Sequence, residues 1–328
     1  MRLHEDKTLF RQAVTATAGL LDIPEIFIEK DYWVTYALHG IFHDPIGGET
    51  VFKGGTALSK CFGLIDRFSE DIDLVVKRQE GETESQLKRK IKQIGQGVTP
   101  KLPEIEIEGL TRKMGMNRKT AHSYPQMFDG RFGQVRNVIV IEATWYGYYE
   151  PFTTKLLSSY IYDMMVEKGQ QEMIEEFSLQ PFQVSVLHVN RTLCEKIMSL
   201  VRFCYTENPM DDLRMKIRHV YDLHKMLEDQ ELSSFFDFDE FAGVIRKVAR
   251  DDVESFRNNN DWLAHHPADS LLFRDVESCW GGLQSAYNGE FRGLVYGALP
   301  EEQQVVETLT RIQERLRKIE WNIEVNSG

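Results

Sequence analysis

VFKGGTALSKCFGLIDRFSEDIDLVV, residues 51–76, opens on a glycine pair and closes on two aspartates set two apart. Val51–Lys53 reads as a short strand running into a turn at Gly54-Gly55. TALSKCFGL then carries Ala57, Leu58, Cys61 and Phe62 at helical spacing, and DIDLVVK reads as a second strand. Residues i and i+2 of a strand project from one face. Asp71 and Asp73 therefore stand side by side, while Ile72 points into the core. Two carboxylates so close repel each other, and keeping both ionised is costly unless a cation sits between them. Mg2+ suits the position, because it takes one or two protein carboxylates and completes its shell with substrate phosphate oxygens. Such a pair serves metal-assisted phosphoryl or nucleotidyl transfer. The competing reading is two solvated acids on an exposed strand face.

The glycine pair bears on that choice. Between a strand and a helix starting near Thr56, amides unobstructed by side chains and backed by the helix dipole form a phosphate cradle. A tight turn is the plainer account of the glycines alone. Other devices fail on the residues present. A calcium loop needs an oxygen ligand at 75 and glycine at 76, where the chain has Val75 and Val76, and GGTALSK is not a P-loop.

Working outward, residues 25–42 repeat apolar side chains as an amphipathic helix does. Residues 83–97 form a charged helix, and EIEIEGL at 104–110 alternates as a half-exposed strand. VRNVIVIEATWYGYY at 135–149 is the strongest strand signal. After Pro181 the pattern turns helical: 192–204 places Leu193, Ile197, Leu200, Val201 and Cys204 on one stripe, and 215–228, 232–250 and 301–320 follow. The expected fold is α/β (α+β) and bilobal, a mixed sheet with helices over 1–185 and a helical lobe over 186–328 that completes an active-site cleft.

Composition agrees with a folded chain of 328 residues, 42% hydrophobic and 27% charged, long enough for about two domains. The charged start MRLHEDKTLFRQ lacks a signal peptide's apolar run, and no apolar stretch is long enough for a membrane helix. Four widely spaced cysteines fit a reducing cytoplasm and argue against a disulfide framework or a zinc site. A net charge of −12 argues against coating nucleic acid by bulk attraction. Yet between Lys88 and Arg136 eleven Lys/Arg face four acids. That segment is either a phosphate-binding patch or a solvated face. The aromatics at 145–149, His265-His266 and Cys194 read as structural.

KGGTALSK followed by RFSEDIDL resembles the first motif of polymerase-β-type nucleotidyltransferases, in which a glycine pair precedes Asp-x-Asp. EKDYWVTYAL at 29–38, TLCEKIMSLVR at 192–202 and RHVYDLHKML at 218–227 narrow the resemblance to the AbiEii/AbiGii toxin group. The resemblance spans most of the first 230 residues. It implies that Gly54, Gly55, Thr56 and Ser69 bind nucleotide, and that Asp71 and Asp73, with Glu142 as a third carboxylate, hold Mg2+ or Mn2+. It implies that Lys196 neutralises charge on the triphosphate, and that Asp222 orients Lys196 or the nucleotide. Arg218, four residues before Asp222, is the alternative partner for that acid. The implied protein is an NTP-dependent, pyrophosphate-releasing nucleotidyltransferase toxin of a toxin–antitoxin or abortive-infection (phage-defence) system. Its implied acceptor is RNA, at tRNA 3′ ends, and a cognate antitoxin opposes it. Transfer to a protein or small molecule stays open, as does a catalytically silent nucleotide-binding module.

Overall fold

Asp6 starts the first helix. Its carboxylate accepts the Thr8 and Leu9 amides at 3.0 Å each, as a good N-cap does, and α1 runs Lys7–Leu21. The computed structural model describes residues 1–113, 115–130, 135–145, 149–256 and 259–325. Tyr146, Gly147 and Tyr148 of the aromatic run, and Arg131 of the basic segment, lie outside the described residues.

α2, Glu25–His43, is buried nearly all round, with Ile28, Tyr32, Trp33, Val34, Leu38 and Ile41 at 2% exposure or less. A helix apolar on every side belongs inside a unit, not on its surface. The chain then makes β1 (Thr50–Lys53), α3 (Gly54–Phe62), β2 (Ile72–Val76), α4 (Glu84–Val98), β3 (Glu104–Ile105), β4 (Asn117–His122), β5 (Ile139–Thr144), β6 (Phe152–Leu157), α5 (Tyr160–Glu167), α6 (Gln171–Glu176) and β7 (Phe182–Leu187). The seven strands form one mixed sheet in the order β3-β4-β5-β2-β1-β7-β6. β2 runs antiparallel to β1 and parallel to β5. The most buried strands, β1, β2 and β5, occupy the middle, and their apolar residues are at most 2% exposed.

The chain divides into two units, Met1–Gly63 with Phe68–Leu187, and Leu64–Arg67 with His188–Gly328. The second is helical: α7 (Val189–Phe203), α8 (Pro209–Met215), α9 (Ile217–Glu228), α10 (Gln230–Asp237), α11 (Asp239–Ser255), the short α12 (Leu271–Arg274), α13 (Val276–Gly281) and α14 (Gln284–Asn288), and α15 (Glu302–Arg317). The four residues Leu64–Arg67, between α3 and β2, cluster with this helical unit.

Two local expectations change. EIEIEGL pairs only through Glu104 and Ile105. Gly109, at φ +75°, turns the chain so that the Leu110 and Thr111 amides bond back to the Ile107 carbonyl. The helical stretch expected over 232–250 is two helices that meet at Phe238, which is extended at φ −87°, ψ 165°. The break brings the Phe236 and Phe241 rings to 4.6 Å, a pair that a continuous helix would set about 140° apart.

Part of the excess charge of 88–136 is answered by ion pairs. Lys88 pairs with Glu84, Lys90 with Glu49 and Glu82, Lys113 with Glu104 and Glu106, Arg118 with Glu104, and Lys119 with Glu142.

Candidate active site

At the end of β1 the chain must turn into α3 while passing directly beneath an aspartate. Gly54 does this at φ +84°. A Cβ built there would lie 2.2 Å from Asp73 Oδ2, a distance no side chain tolerates. Glycine is thus required twice, by backbone conformation and by contact. α3 starts at Gly54 with no side chain capping its first amides. The N-terminal N–H groups of a helix need partners from elsewhere and carry the positive end of its dipole. The Thr56 hydroxyl is buried and donates to the Asp71 carbonyl at 2.7 Å, with the Ser69 hydroxyl 3.1 Å away. Thr56 and Ser69 therefore tie the helix start to the aspartate loop through their side chains.

Strand register sets the acids. β1 opposes Lys53 to Asp73, β5 opposes Glu142 to Asp73, and β4 opposes Lys119 to Glu142. Directly opposed residues share a sheet face. One face thus carries a row Lys53, Asp73, Glu142, Lys119, with two negative charges between two positive ones. Asp71 stands just before β2. Burial raises the Asp73 carboxyl, and the charges of Asp71 and Glu142 push it further, to about 7. Burial also works against the charge of Glu142, but Lys119 and the Asn117 amide outweigh it and hold this acid below its usual range. Its carboxylate accepts Asn117 Nδ2 at 2.7 Å and Lys119 Nζ at 3.0 Å.

Asp71 Oδ1 is buried with no hydrogen-bond partner, and the Arg136 guanidinium approaches only to 3.7 Å. An orphaned carboxylate oxygen beside a carboxyl forced up by like charge fits a divalent cation that brings its own further ligands. Among the described residues no three or more His, Cys, Asp or Glu side chains converge on a metal-sized point. Asp71 and Asp73 fit the group as a pair, while Glu142 is already held by Asn117 and Lys119.

The helical unit holds the other two residues singled out in the sequence. Lys196 of α7 and Asp222 of α9 are 6% and 0% exposed. Asp222 accepts Lys196 Nζ at 2.7 Å, and takes Arg67 as a fork, Nε at 2.6 Å and a terminal nitrogen at 2.7 Å. Arg67, not Arg218, is its arginine partner. Burial disfavours the Asp222 charge, but the two cations hold its carboxyl far below the usual range, while burial lowers Lys196. Asp222 is thus a buried carboxylate bonded at once to a lysine and an arginine.

Sequence reasoning missed Arg67, Lys30, Glu70 and Arg136. The available signal was charge inside apolar helix: Glu29, Lys30 and Asp31 interrupt the most buried helix, and buried charges require partners. Glu29 accepts the Met127 and Phe128 amides, Lys30 pairs with Glu70, and Asp31 takes Lys60 of α3 and the Tyr160 amide at the start of α5.

The family model described as "Nucleotidyl transferase AbiEii toxin, Type IV TA system" matches residues 36–308. The chain belongs to that family. It is an AbiEii nucleotidyltransferase toxin of the type IV toxin–antitoxin class. No curated protein matches it. Among solved structures it is similar to MenT4, the nucleotidyltransferase toxin Rv2826c of Mycobacterium tuberculosis H37Rv, at 13% identity and a TM-score of 0.43, over 92% of this chain and 91% of that one. The AbiEii match takes in the glycine pair, both aspartates, Glu142, Lys196 and Asp222. Among the described residues no helix is long and apolar enough to cross a membrane.

Proposed function

We propose that this AbiEii protein transfers a nucleotide from an NTP to a hydroxyl of RNA, at a tRNA 3′ end, and so inhibits growth until a cognate antitoxin opposes it. The observation that carries the reading is the contact of Gly54 with Asp73. It sets an uncapped helix start against a carboxylate pair, which are the two halves of a site for a metal-bound triphosphate.

The backbone amides at Gly54, Gly55 and Thr56 bind phosphate oxygens. Asp71 and Asp73 hold Mg2+ or Mn2+. When bound, the ion neutralises triphosphate charge and lowers the pKa of the acceptor hydroxyl. Glu142, held by Asn117 and Lys119, closes the carboxylate row and would supply a third carboxylate to the ion. The acceptor hydroxyl gives its proton to water, its oxygen forms a bond to the α-phosphorus as the bond from that phosphorus to the α,β-bridging oxygen breaks, and pyrophosphate leaves. For Lys196 and Asp222 the support is the motif match and their ion pair: the lysine supplies positive charge to the triphosphate and the aspartate sets its direction.

The test incubates the purified chain with Mg2+ and each radiolabelled NTP, first with total cellular RNA and then with protein extract. Label in tRNA, absent with Asp71→Asn, is the expected result. Label in protein or in neither fraction would sink the RNA assignment. Expression of the wild type should arrest growth, and Asp71→Asn should relieve the arrest.

A further inference from the structure

We propose that Arg136 binds the triphosphate oxyanions at this site, and that the buried Lys30–Glu70 ion pair holds it there. The inference rests on the nucleotidyl-transfer reading above and adds a residue that no motif in the sequence marked.

Both main-chain groups of Arg136 are clamped. Its amide donates to Glu70 Oε1 at 2.9 Å, and its carbonyl accepts Lys30 Nζ. Lys30 and Glu70 also bond each other, and their side chains are 0% and 4% exposed. Burying two charges is expensive, and apolar residues of similar volume serve stability as well or better. What this pair achieves that an apolar pair could not is to grip both main-chain polar groups of one residue, fixing its position beside Asp71.

The side chain so placed is not itself buried. The Arg136 side chain is 45% exposed, with Nη1 3.7 Å from Asp71 Oδ1 and 4.0 Å from Glu70 Oε1. Those are ion-pair distances without a hydrogen bond, and half-exposed pairs of this kind contribute little to stability. A guanidinium offers five donors in a planar fork that matches phosphate. A divalent cation at Asp71 would repel it from that carboxylate. A metal-bound triphosphate then offers anionic oxygens to the half-exposed guanidinium, and the arginine passes from carboxylate to phosphate without moving its backbone.

Titration calorimetry on the full chain tests this with magnesium tripolyphosphate as probe, beside Mg2+ alone and a short single-stranded RNA in Mg2+. Arg136→Gln should weaken tripolyphosphate binding at least tenfold, with Arg136→Lys retaining part of the affinity. RNA binding and the melting temperature should stay unchanged, and Mg2+ binding should not weaken, since a positive charge beside Asp71 is removed. Undiminished tripolyphosphate binding by Arg136→Gln, where Asp71→Asn abolishes it, would overturn the role of Arg136 and leave the carboxylate site standing. A loss confined to RNA would assign the arginine to the acceptor and overturn the proposal too. So would a loss tracking a fall in melting temperature. If neither the wild type nor Asp71→Asn binds tripolyphosphate, the nucleotidyl-transfer reading itself fails.

Discussion

Gly54 and Asp222 show how differently two residues of one motif set can be constrained. Gly54→Ala must strain a positive φ and displace Asp73 Oδ2. We expect a loss of about 1–3 kcal/mol in chemical denaturation, together with loss of nucleotidyl transfer. A variant of wild-type activity would show that the close approach is not needed. Asp222→Asn leaves Arg67 and Lys196 buried with one charge fewer to answer them, and should cost about 3–5 kcal/mol. The pH dependence follows from the same pair. Because the folded carboxyl lies below its unfolded value of 3.8, the charged form is the one folding favours. Its stabilisation is complete above that value and drains away as pH falls below it. Acid melts of the wild type should steepen there, and those of Asp222→Asn should lack this component. The sequence pointed to Asp222 through its motif. It could not supply Arg67, because the two residues lie 155 positions apart and only the folded helical unit makes them neighbours.

Strands show the same division between pattern and register. DIDLVVK and VIVIEATW announce themselves by apolar β-branched runs, and both form strands. That Asp73 faces Glu142, with Lys53 and Lys119 at the flanks, depends on which strands pair and in what register. A slip of one residue would send every member of the row to the opposite face. Glu142→Gln should leave the strand intact while releasing Lys119 and relieving Asp73 of one negative neighbour. If Glu142 contributes to the ion, the Mg2+ concentration for half-maximal activity should rise about 10–100-fold. An unchanged Mg2+ requirement would restrict the ion to Asp71 and Asp73. The element-scale misreadings have a local cause. In EIEIEGL a glycine at positive φ turns the chain after Ile107, and in 232–250 the helical stretch is divided at Phe238.

For the whole molecule, ligand linkage gives the broadest test. A nucleotide and Mg2+ that bind only the folded chain should stabilise it by about 2.7 kcal/mol at a hundredfold excess over Kd. The gain should require both components and vanish in Asp71→Asn. A thermal shift with nucleotide alone would deny the carboxylates their part. At this scale the sequence by itself determined the mixed α/β class, the AbiEii family, and the glycine pair and aspartates of the candidate site. The class is written in short-range periodicity, the site residues lie within one strand–helix–strand unit, and the family rests on the resemblance of four segments spread over the first 230 residues. Only the tertiary structure decided that Lys30 and Glu70 grip Arg136 beside Asp71, that Arg67 and Lys196 share Asp222, and that part of the charge of 88–136 is answered by ion pairs. The first two are meetings of charges far apart in the chain. A charge's partner is set by burial and register, which no local pattern encodes.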